Sequence, residues 1–270
     1  MTAAAKTTMK TVAAVADRFK PRRRGITVLI YHRVGSGSGI QVDLPIRLFE
    51  QQMDVLAASG RVVSLDAALD ALVSPVPPPM DPVVVTFDDG TADFVDTALP
   101  AMTERGIAST LYVATQHVEE GLAFPHGGRP LSWAGLREAL STGMVTIGSH
   151  THRHALLDRV DGPTAAEELD RSCDLLATRL HVAVDHFAYP KALIGSAAAQ
   201  REVRSRFRSA ALAGCRTNRY GRTDPHRLAR SPIQVADGMR WFARKLDGGM
   251  ALEDALRRLV NRRRYAGAAT

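Results

Sequence analysis

The sequence predicts an α/β protein whose fold is a distorted, incomplete (β/α) barrel. Three observations carry that expectation. Short β-branched apolar runs alternate with amphipathic helical stripes from Gly25 onward, as parallel strands joined by right-handed crossovers require. Carboxylates and imidazoles gather just after the apolar runs, at the strand ends where barrel enzymes build their sites. The chain, 270 residues and 45% hydrophobic, can bury one large core in a single domain.

The elements follow in order. Ile26 to Tyr31 is the first strand and delivers His32 to its C-terminal end. Phe49, Met53, Leu56 and Ala57 make a helical stripe that stops at Gly60, and Leu65, Ala68, Leu69 and Leu72 make a second. Ser74 to Pro79 is a stiff proline-rich connector inside the domain. It leads into Val83-Val84-Val85-Thr86-Phe87, an apolar strand. Next come a helix around Phe94 to Arg105, a strand at Ile107 to Val113, and a long polar loop from Thr115 to Pro130. Ser132 caps a helix over Trp133 to Leu140, which Gly143 ends. The strand that begins at Val145 ends at Gly148, and a helix from Pro163 to Leu180 carries proline in its first turn. A strand at Phe187 to Tyr189, a helix at Arg201 to Arg208 and a strand near Ala210 to Cys215 complete the alternation.

These elements place the domain at residues 25–240, between a basic N-terminal tail at 1–24 and a C-terminal amphipathic helical extension at 241–270. The net charge of +7 and the pI of about 9.8 allow an anionic partner. The basic excess lies at the ends and in Arg201 to Arg208, as on a solvated face. Basic and aromatic residues are not interleaved, so no nucleic-acid partner is expected. Cys173 and Cys215 form no paired motif. Neither a signal-peptide core nor a membrane-spanning run is present, so the expectation is cytoplasmic action. Met9, Val12, Ala16 and Phe19 could line one side of a short helix, giving weak contact with an anionic membrane surface.

The chemistry begins at Asp88-Asp89-Gly90, directly after the Val83 strand. Two adjacent carboxylates at the mouth of an apolar core raise one another's pKa unless a cation or hydrogen-bond donors separate their roles. The pair therefore asks for a metal or a proton-transfer task, although Asp-Gly also ends strands as a plain turn. Downstream, His150, His152 and His154 follow a second strand within five positions. On a helical turn His150 and His154 would share a face, and His152 would point away. Two neutral imidazoles and one carboxylate, with a position left for water, are the ligand set of a catalytic zinc-type site. A histidine-rich surface turn is the plainer alternative.

Thr86-Phe87-Asp88-Asp89-Gly90, with Ser149-His150-Thr151 and His154, resembles the first two motifs of the polysaccharide deacetylases, the NodB-like carbohydrate esterases. Leu29 to Val34, Phe187-Ala188-Tyr189-Pro190 and Thr223 to Arg230 extend the resemblance over about residues 26 to 240. It implies the same NodB-homology barrel and a hydrolase that removes N-acetyl, or O-acetyl, groups from a sugar or polysaccharide. Residue types argue for a divalent ion held by Asp89, His150 and His154, with Asp88 as general base. The resemblance implies the same roles. Zinc suits the ligands best, with cobalt, nickel and manganese as alternatives.

The third motif departs from the usual pattern. Ala188-Tyr189-Pro190-Lys191-Ala192 lacks the customary arginine that orients the base. Subfamilies with Phe-Ala-Tyr-Pro share that absence, and Arg230 in a late Leu-x-Arg segment is the candidate to supply the charge. The backbone N–H of Lys191 is a candidate oxyanion donor, and the Lys191 side chain would favour an anionic sugar or a phosphate-bearing carrier. The family's late Leu-x-x-His acid is missing, which leaves His226 and His32 as candidates for that role or as groove residues. Tyr31, Trp133 and Tyr189 are candidates to stack on a sugar ring. Competing functions are an amidase acting on a non-sugar C–N bond and a carbohydrate-binding protein without catalysis. No protein partner can be inferred from the sequence.

Overall fold

The computed structural model describes residues 10–11 and 23–251. Most of the N-terminal tail, and the end of the expected C-terminal extension from Leu252 with its arginines at 257–258 and 262–264, lie outside the described residues. So does the expected amphipathic stripe of Met9, Val12, Ala16 and Phe19.

Seven parallel strands form the barrel: β1 (Gly25–Tyr31), β4 (Val83–Phe87), β5 (Ser109–Val113), β6 (Val145–Ser149), β7 (His186–Ala188), β8 (Ser209–Ala213) and β10 (Leu228–Pro232). They follow one another round the ring in chain order, and β10 closes it on β1 with Val28 opposite Arg230. The barrel is thus incomplete in strand number, seven against the usual eight, yet closed in hydrogen bonding. Two short strands, β2 (Arg33–Val34) and β3 (Asp43–Leu44), form a separate pair, and β9 (Asn218–Arg219) runs antiparallel along the start of β1.

Helices occupy the crossovers: α1 (Ile46–Ser59), α2 (Leu65–Val73), α3 (Leu99–Thr103, entered through a π-helical turn at Phe94–Ala98), α4 (Thr115–Glu120), α5 (Trp133–Ser141), α6 (Gly162–Leu180), α7 (Ala197–Arg206) and α8 (Gly238–Leu246). Helix α4 corrects the expectation of an unbroken loop from Thr115. Strand β10 is a second correction, because its five residues, Leu-Ala-Arg-Ser-Pro, offer only two apolar side chains before proline. Caps fix several helix starts. The side chains of Ser64, Ser132 and Asp161 accept the amides of Ala67, Gly135 and Thr164, each satisfying an otherwise orphaned donor.

The strand alternation sorts two layers. Ile26, Val28, Val84, Tyr112, Ala188, Ala211 and Leu228 meet inside the ring, whose N-terminal end α2 closes with Leu65, Ala68, Leu69 and Leu72. Leu29, Val83, Val85, Phe87, Leu111, Val113, Val145 and Ile147 face outward against α1, α5 and their neighbours. Gly148 is required by this packing, since a Cβ there would lie 2.6 Å from the Tyr112 ring. Helix α8 spans the boundary expected at residue 240, and its Phe242 and Leu246 belong to the main core. Lys10, expected in a free tail, is buried and ion-paired with Asp237. No helix among the described residues is long and apolar enough to cross a membrane.

Candidate active site

The C-terminal rim of the barrel collects the sequence motifs. β4 ends in Asp88-Asp89-Gly90, whose backbone is tied on three sides. The Asp88 amide donates to Tyr31 O at 3.1 Å, Asp89 O accepts from the Ala114 amide at 3.1 Å, and Gly90 O accepts from the Leu131 amide at 2.9 Å. Asp89 takes a left-handed backbone, φ 74°. That conformation is uncommon outside glycine, although aspartate tolerates it better than most residues. The turn sends the two adjacent carboxylates to different surroundings.

Asp88 faces Arg230. The fully buried guanidinium donates to both carboxylate oxygens, at 2.6 and 2.8 Å. Arg230 also donates to Thr86 Oγ1 at 3.1 Å and lies 5.0 Å from the centroid of the Tyr112 ring. Burial pushes the Asp88 carboxyl up, but the Arg230 charge, with smaller help from His150 and His32, outweighs it and leaves the group below its ordinary value. The result is a buried carboxylate kept ionised and fixed in orientation.

Asp89 faces the histidines. Its Oδ1 lies 3.7 Å from His150 Nε2 and 3.5 Å from His154 Nε2. One nitrogen from each ring and a carboxylate oxygen of Asp89 fall within 4.8 Å of one another, a set that could hold a metal ion. Burial raises the Asp89 carboxyl as well, yet His154, His32 and His150 together hold it well below the carboxylate range. The fully buried His150 ring is pushed down to about 4, chiefly by burial. His150 Nδ1 lies 2.7 Å from Ala188 O. That contact makes Nδ1 the protonated nitrogen of the neutral ring and turns the Nε2 lone pair toward Asp89. A neutral imidazole with its free nitrogen aimed at a carboxylate and a second imidazole fits a divalent ion.

The segment from His150 to His154 is not the helical turn expected from their spacing. It is an irregular loop in which Thr151 (φ 64°) and His154 (φ 58°) are left-handed. The two rings still come together, with centroids 4.9 Å apart. Several contacts hold the strained loop. The Thr115 and Gln116 amides of α4 donate to Thr151 O and His152 O. The buried Glu168 of α6 takes the Arg153 amide at 2.7 Å and its guanidinium at 3.1 Å. His152 turns away, as expected, to Thr115 Oγ1 at 3.0 Å. Glu168 and Thr115 were not legible as site supports; the only signal was a carboxylate on the apolar side of α6.

The remaining candidates divide. His32 follows β1 at the same rim, close enough to influence Asp88 and Asp89, and its buried Nδ1 has no partner among the described residues. Lys191 and Ala192 both adopt left-handed backbones, φ 52° and 55°, in the turn after β7, and the Lys191 side chain is exposed. Tyr189 is corrected: it is 1% exposed and packs on Phe187 with ring centroids 4.9 Å apart, so it presents no face to a sugar. Tyr31 is likewise buried, donating to Gln52 Oε1. His226 is corrected too. It precedes β10, at the opposite end of the barrel from Asp88, and its Nε2 contacts Phe207 O at 2.7 Å.

One wall of the rim is built by Arg33, which the sequence reading did not single out. Its guanidinium, 3% exposed, donates to Pro125 O at 2.7 Å and His126 O at 3.2 Å. The same loop reaches the Asp89 turn through the Ala92–Arg129 and Leu131–Gly90 backbone bonds. A Cβ on Gly128 would stand 2.2 Å from Arg33 Nη2.

A family model described as polysaccharide deacetylase matches residues 76–208. YxkH of Bacillus subtilis (strain 168) is 25% identical over 166 residues, which is 61% of this chain and 56% of that protein. The match therefore spans little more than half of that relative. The solved structure of IcaB from Ammonifex degensii aligns with a TM-score of 0.70 at 26% identity, covering 83% of this chain and 97% of that one. The Streptococcus pyogenes deacetylase PplD, solved in complex with acetate, aligns with a TM-score of 0.73 at 20% identity over 83% of this chain and 99% of that one, a likeness of fold.

Proposed function

The chain belongs to the polysaccharide deacetylase family, and from that membership and the geometry of the rim we propose that it is a metal-dependent hydrolase that removes N-acetyl groups from an acetylated carbohydrate. One observation carries the reading. Two sequential aspartates have separate partners, Asp89 the paired histidines and Asp88 a buried arginine. A divalent cation held by Asp89, His150 and His154, best suited to zinc, would polarise the amide carbonyl and lower the pKa of a water beside it.

The chain's own groups account for the rest. Asp88, ionised and oriented by Arg230, accepts the proton of the attacking water. The turn at Lys191 contributes a backbone N–H to the developing oxyanion. His32, which follows β1 at the same rim with its buried Nδ1 unpartnered among the described residues, gives a proton to the leaving amine; it replaces His226 in that role. The exposed Lys191 side chain at the rim favours a substrate bearing negative charge.

The test is acetate release from N-acetylglucosamine oligomers by the metal-loaded protein, by Asp88→Asn and by a chelated sample. Release that requires both the metal and Asp88 is the expected result. Metal-loaded protein that binds its ion but releases no acetate would move the activity to a non-sugar amide, and release that survives chelation would remove the metal from the reaction.

A further inference from the structure

We propose that the end of the barrel opposite the active site is a docking surface for an anionic phospholipid membrane. The surface is assembled from three segments. Helix α2 ends at Val73, and the proline-rich connector that follows carries Val76 and Met80; these side chains are 64, 76 and 56% exposed. Beside them lies the turn after β9, joined by the bond from the Gly221 amide to Leu72 O. The start of β1 joins through Arg24, which contacts Pro78 O, Pro79 O and Asp81. All three segments sit at strand N-termini, whereas Asp88, Asp89 and the histidines sit at the C-terminal rim.

Charge selects the partner. Arg219 and Arg222 share the turn after β9, where the Arg222 amide donates to Arg219 O at 3.1 Å, and Arg219 pairs with Gly25, two residues from Arg23; none of the three has an ion pair among the described residues. The acids of the adjoining segments are already taken. Asp81 pairs with Arg24 and accepts the Tyr220 hydroxyl at 3.2 Å, and Asp70 pairs with Arg208. Unneutralised arginines attract an anionic surface. A soluble polyanion would satisfy them equally, but it offers nothing to three exposed aliphatic side chains, two of them on a connector stiffened by prolines. A bilayer does, by admitting the side chains to the boundary between headgroups and acyl chains. Docked in this way, the protein turns its catalytic mouth away from the lipid.

Sedimentation of the full-length protein with vesicles tests this, using pure phosphatidylcholine and phosphatidylcholine with about one third phosphatidylglycerol. Binding to the anionic vesicles only is expected, weakened roughly fivefold for each arginine removed in Arg219→Gln and Arg222→Gln. Val76→Ser with Met80→Ser should weaken it as well, and all three variants should keep the wild-type thermal transition. Equal binding to both vesicles, or none to either, would overturn the proposal. So would binding that survives all four substitutions, which would put the contact elsewhere on the chain. Sensitivity to the arginines without sensitivity to Val76 and Met80 would indicate a soluble polyanion instead.

Discussion

Asp88 and Asp89 differ by one position and by their direct partners, a buried arginine for one and paired histidines for the other. Replacing Asp88 by Asn keeps the shape and removes the proposed proton acceptor, so hydrolysis should fall about 10²–10⁴-fold while substrate affinity changes little; steady-state kinetics on an acetylated oligosaccharide checks it. Arg230 acts through Asp88. Removing its charge in Arg230→Gln leaves burial as the dominant influence on the carboxyl, which then rises. In the proposed reaction ionised Asp88 is the active form, so the acidic limb of the kcat/KM profile should move to higher pH. A limb that stays in place would assign Arg230 a purely structural part. The sequence led to Asp88, Asp89, His150, His154 and Arg230 because each is a costly residue at a strand end or in a matching motif. It misled at Tyr189 because an aromatic beside a motif carries no information about whether its ring is buried, and at His226 because an imidazole carries none about which end of a parallel strand it occupies.

At the level of elements, the site depends on loops held in unfavourable backbone conformations. Asp89, Thr151, His154, Lys191 and Ala192 are all left-handed at the rim, and for a β-branched residue such as Thr151 this is a true outlier. The cost is met by anchors on neighbouring helices. Glu168 holds the Arg153 amide and guanidinium, so Glu168→Ala should weaken metal retention about 10–100-fold, as lost support of a ligand loop does, read by metal titration. Ala192→Gly removes a Cβ from a left-handed position and should raise stability by about 0.5–1 kcal/mol, seen as a higher thermal midpoint. These anchors were not legible in advance. Hydrophobic periodicity locates helices α1, α2, α5 and α6 well, but helix α4 is only six residues of mostly polar sequence, and a loop's conformation depends on partners far away in the chain. The helical turn expected for His150 to His154 failed for that reason: spacing admits it, and tertiary contacts override it.

For the whole molecule, parallel strands in chain order bring residues 88–89, 150–154 and 230 to one rim although they lie far apart in sequence. The alternation of strands and helices made this legible, down to the shortfall from eight strands. Ring closure was not legible, since β10 is short and carries a buried arginine. A metal that binds only the folded chain should stabilise it by about 2.7 kcal/mol when present at 100 times its Kd. Chelation should then lower the thermal midpoint by roughly 5–10 °C, and an unchanged midpoint would speak against a bound ion. The division of labour between the two aspartates is the central claim, and zinc titration of Asp88→Asn beside Asp89→Asn, with acetate release followed in parallel, tests it most directly. Asp88→Asn should bind one equivalent of zinc and lose hydrolysis, while Asp89→Asn should lose the metal itself. Loss of zinc from Asp88→Asn, or its retention by Asp89→Asn at wild-type affinity, would contradict the account.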